Sequence, residues 1–152
     1  METNINDTTE FEEFLREFEF FKDAQIDENS IRLNNYEFEV TLFYPLEDTV
    51  ENNKVYGKFL CFTLEKHAYI NVHFKFSNIK NSEIFVNKEE HDEPLYVRTT
   101  VLDVKESLVK FEFEHEEVKH IQVEYDKLAV NITYDKEDKV FAHKRLKFRL
   151  FD

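Results

Sequence analysis

A strict alternation of apolar and other side chains runs from Ala68 to Phe76, and it constrains the fold more than any other stretch of the chain. The apolar set is Ala68, Ile70, Val72, Phe74 and Phe76, and the set between them is Tyr69, Asn71, His73 and Lys75. A period of two predicts a β-strand that buries one face and leaves the other in water. The chain must therefore supply a partner layer for the apolar face.

A second apolar run, from Val55 to Leu64, precedes this strand, and three polar residues, 65–67, separate the two. Both faces of the run are largely apolar, which is typical of a strand covered on both sides in the middle of a sheet. We therefore predict a hairpin that turns at residues 65–67 and forms the centre of the core. Cys61 lies inside the apolar run, which predicts a buried, inert thiol.

The N-terminal segment carries a helical pattern instead. Apolar residues recur at helical spacing, namely Phe11, Phe14, Leu15, Phe18 and Phe21. Thr9 and Glu12 form a capping-box pattern before this stripe. We predict an amphipathic helix from about Glu10 to Asp23, with flexible, frayed residues 1–8 before it and a polar connection over residues 25–30 after it.

From residue 31 onward the period is two, with short polar separators. Besides the central hairpin, the predicted strands are Ile31–Leu33, Tyr36–Tyr44, Glu83–Val86, Leu95–Val104, Leu108–Glu114, Val118–Tyr125, Leu128–Tyr134 and Val140–Phe151. Short separators require antiparallel neighbours, because parallel strands need long crossovers. The sequence predicts a mainly β single domain over residues 1–152, an antiparallel meander of about eight or nine strands forming a barrel or sandwich, with the N-terminal helix packed on it.

The net charge of −13 is unevenly distributed along the chain. Residues 1–53 hold 15 acidic and 3 basic side chains, whereas residues 54–107 hold 8 of each. A negative surface disfavours nucleic-acid binding and favours a basic partner. A basic stripe lies near the C-terminus, at Lys144, Arg145, Lys147 and Arg149. The stripe is compatible with a phosphate contact, a solvated strand face, protection of a sheet edge, or pairing with the acidic segment within the fold or in a homodimer.

Motifs for catalysis are scarce. Gly57 is the only glycine, which rules out a glycine-rich phosphate loop and a Gly-x-Ser-x-Gly nucleophile elbow. Two pairs of glutamates lie two residues apart, Glu37 with Glu39 and Glu112 with Glu114. Catalytic carboxylates need unequal environments, and alternation beside phenylalanine indicates a uniformly solvated sheet face instead. We expect that the protein is not an enzyme.

Metal-binding and membrane signals are weak as well. His115 and His120 have glutamates nearby, but the histidines lack the tight spacing of a structural metal site. No run approaches the about 20 apolar residues that span a bilayer, and the N-terminus lacks a signal-peptide pattern. A lone cysteine excludes an intramolecular disulfide. We expect a cytoplasmic protein without metal, cofactor or membrane partner.

Two functions remain compatible with the sequence. The first is a protein-interaction module, a small acidic inhibitor or immunity-type protein that binds and blocks a partner with a basic surface. Its predicted binding face comprises Glu13, Glu17, Glu19, Glu37 and Glu39. The second is a β-barrel carrier, because a barrel of about eight strands can enclose one small apolar ligand.

Overall fold

The structure is a computed structural model that describes residues 1–85, 94–114 and 120–148, and their side chains except those of 85 and 142–148. Within these ranges it contains one α-helix, α1 (Thr8–Glu17), and ten strands. The strands are β1 (Glu2–Ile5), β2 (Gln25–Leu33), β3 (Glu37–Pro45), β4 (Asn53–Phe59), β5 (Phe62–Ser77), β6 (Ile79–Phe85), β7 (Val97–Asp103), β8 (Leu108–Phe113), β9 (His120–Tyr125) and β10 (Val130–Phe148). The predicted mainly β, antiparallel class is confirmed, and the described strands form a two-sheet sandwich rather than a closed barrel.

The first sheet has six strands and the second has four. The order in the first is β1-β10-β5-β3-β2, with β4 also paired to β5, and the order in the second is β6-β9-β8-β7. Strands β7, β8 and β9 form a meander, whereas β10 returns to the first sheet and pairs along most of β5. The opposite edge of β5 is shared, because β3 pairs with residues 69–77 and β4 with residues 62–67.

The core lies between the two sheets and beneath α1. On β5 the residues Ile70, Val72, Phe74 and Phe76 are buried, as the alternation predicts. The ring of Phe74 lies 5.7 Å from that of Phe111 on β8, so the two sheets meet at these rings. Burying a phenylalanine side chain contributes about 1.5–3 kcal/mol, which makes this row a principal source of stability.

Helix α1 packs on the same face of the first sheet. The ring of Phe14 lies 6.3 Å from Phe74, and that of Phe11 lies 6.1 Å from Phe76, both with edge-to-face geometry. Phe18 and Phe21 are buried as well. The prediction that the phenylalanine stripe packs on the sheet is therefore confirmed.

The start of the helix differs from the prediction. The N-cap is Asp7, whose Oδ1 accepts hydrogen bonds from the backbone N–H groups of Thr9 at 2.8 Å and Glu10 at 3.1 Å. Thr9 lies inside the helix, so the predicted capping box is wrong. Aspartate is as good an N-cap as threonine, and here the chain before it is held in place by β1.

Residues 1–8 are not frayed, because β1 pairs with β10 in antiparallel register from Glu2 opposite Thr133 to Ile5 opposite Val130. The N-terminal amino group also donates a hydrogen bond to the Tyr134 carbonyl at 2.6 Å. The strand partner lies more than 120 residues away in sequence, and no local pattern in a polar segment identifies such a partner.

The helix ends at Glu17 rather than near Asp23. Glu19, Phe20 and Phe21 have positive φ angles of 52°, 55° and 60°, which reverse the chain in a short 3-10 turn. The backbone N–H of Asp23 then donates to the Val97 carbonyl at 2.8 Å. A residue in the left-handed conformation costs about 1–2 kcal/mol. Docking against β7 and burial of Phe21 therefore outweigh both this cost and the local helical preference.

The central hairpin turns earlier than predicted. Leu60 and Cys61 form the turn, and β5 runs unbroken through residues 65–67, the predicted turn. His67 fits inside the sheet because its ring nitrogens lie 2.9 Å from Asn53 Oδ1 and 2.7 Å from the Leu46 carbonyl oxygen. Cys61 is therefore half-buried at a turn instead of buried in a strand, and the exposed β4 is not a central strand.

Two further strand predictions are corrected. Residues 25–30, predicted as a polar connection, form the first part of β2. The predicted strands Leu128–Tyr134 and Val140–Phe151 are one strand, β10, with an irregularity between Tyr134 and Lys139. Pro45 ends β3 as predicted. The polar segments predicted as loops at residues 87–93 and 115–117 lie outside the described residues.

Candidate functional site

An open groove of about 260 Å³ separates α1 from β1 and β10. It is lined by Thr3, Ile5, Glu10, Glu13, Phe14, Glu17 and Tyr134. The three glutamates belong to one side of α1, since residues three and four apart lie above one another on a helix. Ile5, Phe14 and Tyr134 are buried and form an apolar floor. This acidic groove thus combines carboxylates at its rim with apolar surface at its base.

One of the three carboxylates already holds a cation. Lys136 Nζ lies 3.0 Å from Glu17 Oε1 and 5.9 Å from the ring centroid of Phe18. The hydrogen bond and the negative charge of Glu17 raise the pKa of Lys136 above its usual value. Among the described residues no cation pairs with Glu10 or Glu13, so the acidic groove keeps excess negative charge.

The structure places the predicted binding residues on different surfaces. Glu13 and Glu17 line the acidic groove, and Glu19 follows at the left-handed turn. Glu37 and Glu39 lie on the outer face of the first sheet, because Phe38 between them is buried on the inner face. The five glutamates therefore do not form one continuous face.

Glu37 and Glu39 also have a lysine and a histidine as neighbours on β5. Glu37 Oε2 lies 3.5 Å from Lys75 Nζ, and Glu39 Oε1 lies 3.2 Å from His73 Nε2. These cross-strand contacts make the two glutamates part of a mixed-charge sheet surface.

Glu10, by contrast, belongs to the acidic groove although it was missing from the predicted set. Its spacing of three and seven residues from Glu13 and Glu17 could have identified it.

The carboxyl groups of Glu112 and Glu114 have unequal environments, contrary to expectation. Arg98 donates a hydrogen bond of 2.6 Å to Glu112 and thereby lowers the pKa of its carboxyl. Burial, followed by a hydrogen bond and repulsion from Asp23, raises the pKa of Glu114. Each group is engaged with a different neighbour, so the two carboxyls do not act as one pair.

The described part of the chain shows neither a metal-ligand cluster nor a membrane-spanning helix. No group of three or more His, Cys, Asp or Glu side chains there is placed to hold a metal ion. His120 Nε2 lies 3.6 Å from Glu83, and His115 falls outside the described residues. Within the described ranges no helix has the length and apolar character needed to cross a bilayer.

A second surface feature was predicted only in part, as the basic stripe near the C-terminus. Strand β4, residues 62–67 of β5 and residues 139–148 of β10 form a three-stranded unit, here called the basic arm, and at its base residues 139–141 pair with residues 68–70 of β5. It extends past the end of β3, whose pairing with β5 begins at Tyr69. At its tip Phe59 is 70% exposed and Leu60 is 86% exposed. The arm could not be recognised from the sequence, because its strands come from distant segments and its turn lacks Gly, Asn and Asp.

No known protein family, curated protein or solved structure matches this chain. Function must therefore be inferred from the two surfaces that the fold presents, the acidic groove and the basic arm.

Proposed function

We propose that this protein is a non-enzymatic protein-interaction module that binds a partner protein with a basic surface through the acidic groove. The observation that carries the proposal is the placement of Glu10, Glu13 and Glu17 around an apolar floor. A lysine or arginine side chain has matching chemistry, since its alkyl stem packs on apolar surface while its charged head meets carboxylates. We further propose that binding blocks the partner, as an inhibitor or immunity-type protein does.

The contact between Lys136 and Glu17 illustrates how the groove holds a cation. The ammonium group lies 3.0 Å from the carboxylate and sits over the ring of Phe18. Attraction of a cation to an aromatic face adds about 0.5–1 kcal/mol at an exposed site. A cationic side chain from a partner would meet the same combination beside Glu10 and Glu13, where no internal cation competes within the described residues.

The size of the groove favours a side chain over a small-molecule ligand. Its volume of about 260 Å³ lies below the range of roughly 300–1,000 Å³ that is usual for ligand pockets. The space between the sheets is occupied by aromatic rings, with Phe74 lying 5.2 Å from Phe21 and 5.7 Å from Phe111. This filled core gives no support to the carrier hypothesis, so we do not propose it.

Site-specific crosslinking in extracts or cells of the native host tests the proposal. A photoreactive amino acid replaces Glu13 in the groove, and a matched control carries it at Val101, an exposed position on β7. We expect position 13, and not position 101, to capture a defined protein with a basic surface, and we expect the Glu10→Lys/Glu17→Lys background to abolish capture. Identical products at both positions, or capture that ignores the charge reversals, would contradict the proposal.

A further inference from the structure

The fold gathers positive charge in the basic arm. Residues 53–67 and 139–148 contain seven Lys or Arg and one acidic residue, a net charge of +6. Since the whole chain carries −13, everything outside the arm carries −19. The segments lie far apart in sequence, and the pairing of β4 and β10 with β5 brings them together. The protein is therefore strongly dipolar, with a basic arm on an acidic body.

The tip of the arm combines exposed apolar surface with backbone strain. Leu60 has a φ of 54° in the turn between β4 and β5 and is 86% exposed. Leucine is disfavoured in the left-handed region, where Asn or Gly fits at lower cost. A turn with positive φ favours Gly or Asn, and exposure to solvent favours a polar side chain, so neither accounts for a leucine at this position. Together with the neighbouring Phe59, it indicates a tip that is covered by another molecule.

We propose that a second copy of this chain covers the arm, with the basic arm of each copy lying across the rim of the acidic groove of the other. The inference rests on the proposed function of that groove and names its partner. The charges of the two surfaces are complementary, because the acidic surface that a +6 arm requires is present on the same protein. The lysines of the arm face the carboxylates at the rim of the groove, and the apolar tip covers its mouth.

The extent of the arm agrees with this arrangement. It comprises 25 residues, 15 from β4, the turn and β5 and 10 from β10, and a standard interface uses about 20–30 residues a side. If a twofold axis relates the two copies, each arm contacts the groove of the other copy. Such a dimer is closed and contains two identical arm–groove contacts. Each copy thus buries both its exposed tip and its uncompensated carboxylates.

Other occupants fit the charges less well. Pairing two arms through the open edge of β4 would bring +6 against +6 and place Lys54 and Lys58 near their symmetry equivalents. A nucleic acid or an anionic membrane would attract the arm but repel a body of −19. The groove of the same molecule is not the occupant either, because Phe59 and Leu60 are exposed in the single chain.

Sedimentation equilibrium on the full chain provides the test, over protein concentrations of roughly 1–200 µM at about 0.1 M and 0.5 M salt. We expect a dimer whose dissociation constant rises at least about tenfold at the higher salt concentration. Two variants reverse charge on one side of the contact, Lys54→Glu/Lys58→Glu on the arm and Glu13→Lys/Glu17→Lys in the groove. Each variant alone should be monomeric.

Mixing these two variants supplies the decisive observation. One contact then pairs the glutamates of the altered arm with the lysines of the altered groove, and the other pairs a wild-type arm with a wild-type groove, so an equimolar mixture should form a heterodimer. Circular dichroism confirms that each variant is folded. Leu60→Asn serves as a second probe, because it relieves the strained turn while removing the apolar tip, and it should weaken the dimer without unfolding the chain.

Three results would overturn the inference. The first is a wild-type chain that stays monomeric at every concentration, and the second is a groove variant that dimerises like the wild type, which would indicate arm–arm pairing. The third is a monomer that floats with vesicles of phosphatidylcholine and phosphatidylserine, which would indicate a lipid surface. None of these affects the crosslinking at position 13, so the proposed function of the groove stands or fails separately.

Discussion

Strand β5 passes through two regions of the molecule, the body and the basic arm, and its side chains are buried differently in the two. In the body, residues Ile70, Val72, Phe74 and Phe76 are covered by α1 and the second sheet. In the basic arm, Phe62 and Leu64 belong to the same alternating set, yet they are only half-buried. Alternation assigns side chains to faces in both regions. In the arm the opposite face, with Thr63, Glu65 and His67, is the buried one, so packing decides which face is buried.

The two regions also use the left-handed conformation differently. Asn78, which follows β5 in the body, and Leu60, in the turn of the arm, have the same φ of 54°. Asparagine tolerates this conformation because its short polar side chain can bond locally, whereas leucine does not. The body therefore places a suitable residue at its turn, and the arm keeps a strained apolar one. Stability explains the first choice, and the proposed dimer contact would explain the second.

The largest expected effect comes from truncating one phenylalanine in each region. Phe74→Ala should destabilise the protein by about 3–5 kcal/mol, because it leaves a cavity where α1, β5 and β8 meet. Phe59→Ala should change the stability of the monomer by less than about 0.5 kcal/mol, because the side chain is exposed. Urea denaturation at low protein concentration, which favours a monomer, measures both. Similar losses for the two variants would show that the arm is packed like the body.

An exchange of turn residues should have an intermediate effect. Leu60→Asn should stabilise the monomer by up to about 1 kcal/mol, and Asn78→Leu should destabilise it by about 1 kcal/mol or more, because both positions have positive φ. Thermal denaturation of the two single variants gives the sign of each change. If Leu60→Asn lowers the stability of the monomer, the leucine packs within its own chain, and the contrast between the turns is wrong.

The smallest expected effect concerns the paired charges on the second sheet. Arg98 holds the pKa of Glu112 below its usual 4.5 in the folded protein, so this carboxylate stabilises the fold above that pH. The contribution is lost as the pH falls through the folded-state pKa. Glu112→Gln should therefore cost about 0.2–1 kcal/mol at pH 7 and progressively less at acidic pH.

Glu114→Gln is the matched control for this prediction. Burial and Asp23 raise the pKa of Glu114, so its charged form is disfavoured in the folded state. Removing that charge should increase stability at pH 7, and the gain should shrink as the pH falls and the wild-type carboxyl becomes protonated. Thermal denaturation from pH 3 to 7 compares the variants. Parallel pH profiles for both would show that Arg98 and Asp23 do not distinguish the two carboxyls.

The sequence by itself determined those features that depend on local periodicity. The alternation from Ala68 to Phe76 identified the buried face of β5, and the spacing of Phe11, Phe14 and Phe18 identified the buried face of α1. Short separators identified antiparallel neighbours, and the acidic helix was visible in the charge of residues 1–53. These inferences succeed because burial of one face selects apolar residues at the period of the backbone.

Only the tertiary structure decided features that depend on distant partners. β1 forms because β10 is available to pair with it, and residues 65–67 continue a strand because β4 and β10 flank them. The groove gathers Glu10, Glu13 and Glu17 beside β1, while Glu37 and Glu39 lie on the outer sheet face. The basic arm exists because two segments more than 70 residues apart pair with each other. The backbone hydrogen bonds of a strand are satisfied by a second strand. The sequence of one strand alone therefore does not determine its partner, their register or the surface that the two form together.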